Sequence, residues 1–217
     1  MNKTIAISGT GKCTVSPDTT VIHLHLSSAF PTYDETLSRS AADLNEIRTI
    51  FLALGFERDS VKTTSFSVRR ETESYREQNA YKERFVGYRY EQRLKVSFPI
   101  DNERLGQILF ALSNAKVDAE LNFEYTVSHP EEVVNRLLAS AVKDAKGKAA
   151  ALSEAAGVTL GEIVEISYSD TEQDYSVRPY RENLACRQAV FSAPPQPEIQ
   201  PDDIEVSDTV KVVWEIV

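Results

Sequence analysis

Two glycines at alternate positions, Gly9 and Gly11, constrain the fold of this chain more than any other feature of its sequence. They lie in a stretch from Thr4 to Val15 that is rich in β-branched residues and therefore typical of a β-strand. Alternate residues of a strand share one face, so the two glycines would leave part of that face without side chains. Such a bare face indicates a bulge or the close passage of another element.

The same stretch resembles part of a phosphate-binding loop. That loop needs a glycine five positions before the Gly-Lys pair, a Ser or Thr directly after it, and then a helix. Around Gly11 and Lys12, however, Ala6 and Cys13 occupy those two positions. The residues that follow, TVSPDTTVIHLHL, favour strands over a helix. We therefore interpret the stretch as structural rather than as a nucleotide site.

A second strand is predicted from Thr20 to Leu26, where side chains alternate between two faces. Pro17 and Asp18, between the two strands, are typical of a turn, so we expect the strands to pair as a hairpin. The faces of the second strand carry Ile22, Leu24 and Leu26 on one side and Val21, His23 and His25 on the other.

Helix and strand patterns alternate along the rest of the chain. Two helices should follow capping boxes and end at glycines: Thr32-x-x-Glu35 to Gly55, and Ser128-x-x-Glu131 to Gly157. The second helix carries small residues, among them Ala141, Ala145 and Ala149, that would let another backbone approach closely. The other predicted elements are strands at Lys62–Arg70 and Arg84–Phe98, a short helix capped by Asp101 or Asn102, strands from Leu121 to Val127 and from Glu162 to Tyr168, and a terminal strand in SDTVKVVWEIV.

The order β-β-α-β-β-α-β-α-β-arm-β predicts an α+β fold, in which helices cover a mostly antiparallel sheet. We expect residues 1–217 to form a single domain. Residues 170–204 are polar and interrupted by prolines, so they predict an extended arm that crosses between subunits.

The charge balance limits the partners of the chain. Lys and Arg number 24 against 33 Asp and Glu, a formal net charge of -9, which argues against a nucleic-acid partner. No run approaches the about 20 apolar residues that a membrane span needs. The start MNKTIAISG lacks the apolar core of a signal peptide, so we expect a cytoplasmic protein as given, or a periplasmic or exported one if a leader was removed. Cys13 and Cys186 are interpreted as reduced structural thiols.

A metal site is the sharpest chemical hypothesis. His23 and His25 would project from the same strand face, and His129 is the third histidine available as a ligand. The face that bears His23 and His25 lies opposite the apolar one, however, so a solvated sheet surface is the simpler explanation of the pair. We expect no cofactor and keep metal binding through these histidines as the alternative function.

Other catalytic patterns are absent from the sequence. There is no Gly-x-Ser-x-Gly motif, and neither cysteine has a histidine beside it in the sequence. Tyrosines and basic residues between Tyr75 and Tyr90 resemble a surface for stacking nucleic-acid bases, but glutamates in the same segment cancel the charge. A charged, exposed hairpin that contacts another subunit or a partner is the preferred interpretation.

Four residues are candidates for contacts with another subunit or a partner. Val212 and Trp214 belong to the apolar terminal strand, which must pair within the fold or with a neighbouring subunit. Tyr180 and Phe191 are large side chains within the predicted arm. We expect a homo-oligomer, with a protein partner as a further candidate.

Four segments, in order along almost the whole chain, resemble the SIMPL-domain family. They are the opening IAISGTGKCTVSPDTTVIHLHL, the strand VGYRYEQRLKVSF with Gly87 and Tyr88, the Ala-rich helix and strand ASAVKDAKGKAAALSEAAGVTLGEIVEIS, and the closing strand DIEVSDTVKVVWEI. This family is of unknown function and includes bacterial periplasmic immunogenic proteins and a mammalian signalling adaptor.

The resemblance implies an α+β fold, large oligomers in some members, and a link to tolerance of oxidative stress in others. It offers no catalytic residues to transfer, and His23 and His25 are not part of the family pattern. Together with the residue patterns, it indicates a non-enzymatic, self-associating protein that acts as an interaction or stress-related module.

Overall fold

The computed structural model describes residues 3–77, 80–168, 175–177 and 199–217. Within these residues the elements, in chain order, are β1 (Thr4–Val15), β2 (Thr19–Phe30), α1 (Tyr33–Ala53), a 3-10 turn (Arg58–Ser60), β3 (Lys62–Glu77), β4 (Ala80–Pro99), α2 (Asn102–Ser113), β5 (Ala119–Thr126), α3 (Pro130–Ala156), β6 (Leu160–Tyr168), β7 (Ser176–Val177) and β8 (Ile204–Ile216).

The strands form two sheets. One has three strands in the order β1-β8-β6, and the other has five in the order β3-β4-β2-β5-β7. The pairs β1/β8, β6/β8, β2/β4 and β3/β4 are antiparallel. The α+β prediction is therefore confirmed. The predicted arm, 170–204, contains β7 and the first residue of β8, and its positions 170–174 and 178–198 lie outside the described residues.

The predicted hairpin of β1 and β2 is wrong, because these strands belong to different sheets. The corner between them is held by the segment before α3: the Asp18 N–H donates to the Thr126 carbonyl at 3.0 Å, and the Ser128 N–H and hydroxyl both donate to the Asp18 carboxylate at 2.7 Å. The backbone and side chain of Asp18 therefore bond to residues before α3, and not across a tight turn between β1 and β2. Strand β1 pairs instead with β8, from Thr4 opposite Glu215 to Val15 opposite Ile204.

The same contacts correct the predicted capping box of α3. Ser128 does not cap the helix, because its hydroxyl donates to Asp18. The residue at the cap position is His129, which makes no side-chain cap bond, and Pro130 opens the helix. Gly157 ends it in the left-handed conformation at φ 67°, as predicted.

The residues group into two compact units. Unit 1 comprises Met1–Asp18, Thr126–Val177 and Pro201–Val217, and unit 2 comprises Thr19–Tyr125 and Arg178–Gln200. The expectation of a single domain stays a prediction.

In unit 1, α3 packs against β1 and β8. One part of the core is formed by Ala141, Ala145, Ala149, Val210, Val212 and Trp214, and another by Val127, Val133, Leu137, Ile204 and Val206. Alternate residues of β8 enter the core because they share the face that meets the helix.

In unit 2, α1 and α2 contribute to one core with β2 and β4. Its centre contains Ile22, Leu24, Leu26, Ile47, Phe51, Leu94, Val96, Leu105 and Ile108. The predicted caps are confirmed: Thr32 Oγ1 accepts from the Glu35 N–H at 3.3 Å, and Asp101 Oδ1 accepts from the Arg104 N–H at 2.9 Å. None of the described helices combines the length and apolar character that crossing a bilayer requires.

Candidate interaction surfaces

The glycine face of β1 is filled by the backbone of α3. A Cβ atom placed on Gly9 would lie 2.1 Å from the Ala141 carbonyl oxygen, and one on Gly11 would lie 2.1 Å from that of Leu137. Neither distance leaves room for a methyl group, and the register of β1 with β8 has no irregularity at either glycine. Of the two expected explanations, the close passage of another element is therefore the correct one.

The outer edge of β1 is closed by two side chains of α3. The Thr10 N–H donates to Asp144 Oδ2 at 2.8 Å, and Lys148 Nζ donates to the Ser8 carbonyl at 3.4 Å. Lys148 also lies 2.6 Å from Asp144, and this ammonium together with the Thr10 N–H lowers the pKa of the Asp144 carboxyl. Because these bonds occupy two backbone groups in the middle of β1 that would otherwise be open to another chain, they hinder strand addition at this edge.

The opposite edge of the same sheet, β6, is apolar and exposed. Ile163, Val164 and Ile166 are 51%, 56% and 52% exposed, although such side chains are usually buried. No other described strand pairs with the outer side of β6. The exposed apolar stripe on an unpaired edge is typical of a surface that another chain covers.

The free edge of the five-stranded sheet is β3. Residues 62–70, KTTSFSVRR, carry three basic side chains and no acidic one. Phe66 on this strand is 47% exposed, and Val68 is half-buried. The described part of the chain therefore offers a second open edge, which carries basic side chains where β6 carries Glu162 and Glu165.

Crossed ion pairs hold the strands of the β3–β4 hairpin together. Arg89 donates to both carboxylate oxygens of Glu71, at 3.0 and 2.9 Å, and Arg69 pairs with Glu91. The bonds to Arg89 lower the pKa of Glu71, and Glu71 in turn raises the pKa of Arg89. These contacts join four of the charged side chains that give this segment its mixed charge.

Aromatic side chains continue the hairpin surface. Tyr88 packs edge-on against Tyr33 and Phe85, with ring centroids 5.5 and 5.2 Å apart, and the Arg70 guanidinium lies 5.1 Å from the centre of Phe85. Tyr81 is 81% exposed. The hairpin is therefore exposed and mixed in charge, and its contact with a subunit or partner stays a prediction.

Tyr90 differs from the other tyrosines of this segment, because it is 1% exposed and belongs to the core of unit 2. Its hydroxyl donates to Asp43 Oδ2 on α1. Burial, with the Asp43 carboxylate as a second cause, raises the pKa of Tyr90. Tyr90 therefore cannot take part in surface stacking, and its pairing with Asp43 was not expected from the sequence, since Asp43 lies outside any recognised pattern.

The three histidines lie beside carboxylates. His23 Nε2 is 3.1 Å from Glu124 Oε1, His25 Nδ1 is 3.4 Å from Glu120 Oε2, and His129 Nδ1 is 3.2 Å from Glu131 Oε1. Across the described residues, no group of three or more His, Cys, Asp or Glu side chains is arranged to hold a metal ion. Each histidine therefore lies beside one carboxylate, and the metal hypothesis gains no support from this geometry.

Two of the four predicted contact residues lie inside the chain. Trp214 is 3% exposed and Val212 is 0% exposed, in the core formed with the alanines of α3. The terminal strand thus satisfies its apolar face within the fold, which was one of the two outcomes expected for it. Tyr180, Phe191 and Cys186 fall outside the described residues, and the Cys13 thiol packs partly buried at the edge of the unit 1 core.

Comparison with known proteins identifies relatives over most of the chain. The model of the family SIMPL, described as a protein of unknown function (DUF541), matches residues 5–214. The chain is also 27% identical over 164 residues to the 26 kDa periplasmic immunogenic protein of Brucella melitensis biotype 1, and equally to that of Brucella abortus strain S19. Each match covers 75% of this chain and 65% of the relative, so it spans a little under two-thirds of the relatives' length.

Proposed function

The chain belongs to the SIMPL family, and from this premise we propose that it is a non-enzymatic protein that associates with copies of itself. The observation that carries the proposal is β6, which pairs with β8 on one side and has no other described strand on its outer side, and on which Ile163, Val164 and Ile166 are each more than half exposed. Leaving these side chains in water is unfavourable by roughly 25 cal/mol per Å² of apolar surface that a partner would bury. Association with another chain recovers that free energy.

Among the described residues, Tyr125 has its pKa raised by burial alone, and four other ionisable groups with shifted pKa values support a structural role. Glu71 and Arg89 bond each other across two strands, Asp144 closes the edge of β1, and Tyr90 bonds Asp43 inside a core. Groups that perform acid–base chemistry are also perturbed, but they lie in clefts within reach of a substrate. Each of these groups is instead engaged by a neighbour that holds two elements together.

The names of the two relatives place those proteins in the periplasm. We extend that location to this chain, in place of the cytoplasmic one expected from its first residues, and include a role in stress tolerance in the proposal. Fractionation of cells that express the full natural gene tests the location, and recovery of the protein in the cytoplasmic fraction alone would contradict it.

Light scattering coupled to size-exclusion chromatography tests self-association directly. We expect a mass that is a multiple of the 24.3 kDa chain at micromolar concentration and that falls on dilution. A mass of one chain at every concentration up to the millimolar range would exclude the proposed function.

Metal binding through His23 and His25 is the alternative, and the neighbouring carboxylates of Glu120 and Glu124 are the further ligands that would serve it. Elemental analysis of untagged protein distinguishes the two. A stoichiometric metal that is lost in the His23→Ala, His25→Ala double variant would favour the alternative over the proposal.

A further inference from the structure

We propose that the contact between copies is made by two different sheet edges: β6 of one copy pairs with β3 of the next. This inference rests on the proposed self-association and adds the surfaces that carry it. Each strand lies at the end of its sheet, so its outer backbone N–H and carbonyl groups are in position to extend a ladder into another chain.

The other two sheet ends are poor partners. Two backbone groups of β1 are bonded to Asp144 and Lys148, and β7 has only two residues, Ser176 and Val177, within the described part of the chain. By contrast β6 has nine residues and β3 has sixteen. Nine residues extend over about 30 Å at roughly 3.3 Å per residue, which is long enough for a complete intermolecular strand pair.

The charges of the two edges are complementary. Strand β6, LGEIVEISY, has two glutamates, Glu162 and Glu165, and no basic residue. The first nine residues of β3, KTTSFSVRR, have three basic residues and no acidic one. Because opposite charges across a strand pair stabilise it and like charges destabilise it, each edge favours the other over a copy of itself.

Apolar side chains reinforce the pairing. Ile163 and Ile166 lie opposite Trp214 and Val212 of β8. They therefore share the face of the sheet on which β8 packs against α3. On β3, Phe66 is exposed on the face that β4 directs toward the core of unit 2. Pairing of the two edges would bring these apolar stripes together and remove them from water.

The proposed contact joins two different patches, so it is heterologous. Such contacts leave one β6 edge and one β3 edge open at the ends of any short assembly. Further copies then add until the rotation closes a ring or a filament grows. A symmetric dimer would instead place glutamates against glutamates at β6, or basic residues against basic residues at β3.

Charge reversal tests the pairing. The first variant, Glu162→Lys with Glu165→Lys, makes β6 basic, and the second, Lys62→Glu with Arg70→Glu, makes β3 acidic. Arg69 is left unchanged because it pairs with Glu91 within the chain. Each variant alone then places like charges at the proposed contact, so we expect its association to weaken about tenfold or more.

Mixing the two variants restores opposite charges at both contacts. We therefore expect the equimolar mixture, measured by light scattering, to recover the assembly that neither variant forms alone. A misfolded variant could not be rescued in this way, and circular dichroism of each variant checks its fold. A matched control, Glu154→Lys with Glu205→Lys, makes the same change of charge at exposed positions outside β3 and β6 and should assemble as the original chain does.

The outcomes separate this inference from the proposed function. If the original chain assembles and both variants assemble equally well, or if the folded variants lose assembly and the mixture fails to recover it, the β6–β3 pairing is overturned while self-association stands. If the original chain is monomeric at every concentration, both are overturned.

Discussion

At the residue scale, Gly9 and Gly11 connect the sequence most directly to the packing. Only hydrogen atoms fit between β1 and the backbone of α3, and the alanines at 141 and 145 are the matching small residues on the helix. Two patterns that are far apart in the sequence, alternate glycines and an Ala-rich helix face, are thus the two sides of one contact.

We predict that Gly9→Ala or Gly11→Ala lowers the free energy of unfolding by about 1–3 kcal/mol, because each added methyl group would overlap a carbonyl oxygen of α3. Urea denaturation monitored by circular dichroism measures the change. Gly147→Ala is the control, because nothing lies within 4 Å of a Cβ there and alanine is the better helix former by about 0.5–1 kcal/mol. Equal effects at positions 9, 11 and 147 would contradict the close packing.

Tyr90 provides a second test at this scale. Replacing it with Phe removes the hydroxyl that donates to Asp43 and leaves that carboxylate without this partner. We expect a loss of about 1–3 kcal/mol in the free energy of unfolding. Tyr81→Phe, at an 81% exposed position, should have almost no effect. If adding Asp43→Asn to Tyr90→Phe costs as much as Asp43→Asn alone in the original chain, the two groups are not coupled.

At the element scale, the two edge strands of the three-stranded sheet, β1 and β6, differ in what contacts their outer sides. Strand β1 is closed by side chains of α3, whereas β6 is left apolar and open. Natural sheets commonly block edges that must not pair. The asymmetry is therefore the main structural reason to assign association to β6.

The bonds that Asp144 makes to the Thr10 N–H and to Lys148 predict a particular pH dependence of stability. The pKa of Asp144 is lowered in the folded chain, so its ionised form stabilises the fold above the unfolded value of about 4, and that contribution is lost as the pH falls through the folded value. We expect Asp144→Asn to be less stable than the original chain at pH 7 and the difference to shrink below about pH 4. Thermal melts across this range measure it.

Asp118→Asn is the matched control for Asp144→Asn, since the Asp118 side chain is exposed. Its stability difference from the original chain should be small at pH 7. A difference for Asp144→Asn that is equally large at pH 3 and pH 7 would show that the ionised carboxylate does not hold the edge.

At the scale of the whole molecule, the net charge of -9 opposes association between copies, so any contact must be locally complementary. Strand edges of opposite charge satisfy that requirement while the rest of the surface keeps copies apart. Salt screens both effects over a Debye length that falls from about 30 Å at 0.01 M to about 8 Å at 0.15 M.

We predict that raising the ionic strength affects the assembly of the original chain and that of the charge-reversed variants in opposite directions. If complementary edges carry it, the reversed-charge variants should gain relative to the original chain as salt is raised, because their repulsion is screened while the attraction of the original pair weakens. Sedimentation velocity at two salt concentrations measures this ratio. An unchanged ratio would indicate that charge plays no part in the contact.

Much of the local structure could be predicted from the sequence alone. The caps at Thr32 and Asp101, the left-handed end at Gly157 and the α+β element order all follow from residue preferences and short-range spacing, and the structure confirms them. The predicted cap at Ser128 was wrong because its hydroxyl donates to the carboxylate of Asp18, which lies 110 positions away in the sequence.

The sequence by itself determined the helices and most of the strands, and that the glycine face of one strand requires either a bulge or the close passage of another element. Only the tertiary structure decided that the partner backbone is α3, that β1 pairs with β8 rather than with β2, and that Trp214 is buried while Ile163, Val164 and Ile166 of β6 are more than half exposed. The physical reason is range. An element forms from preferences within a few residues, but a pairing such as Thr4 with Glu215 brings together opposite ends of the chain, and its stability depends on every element packed between them.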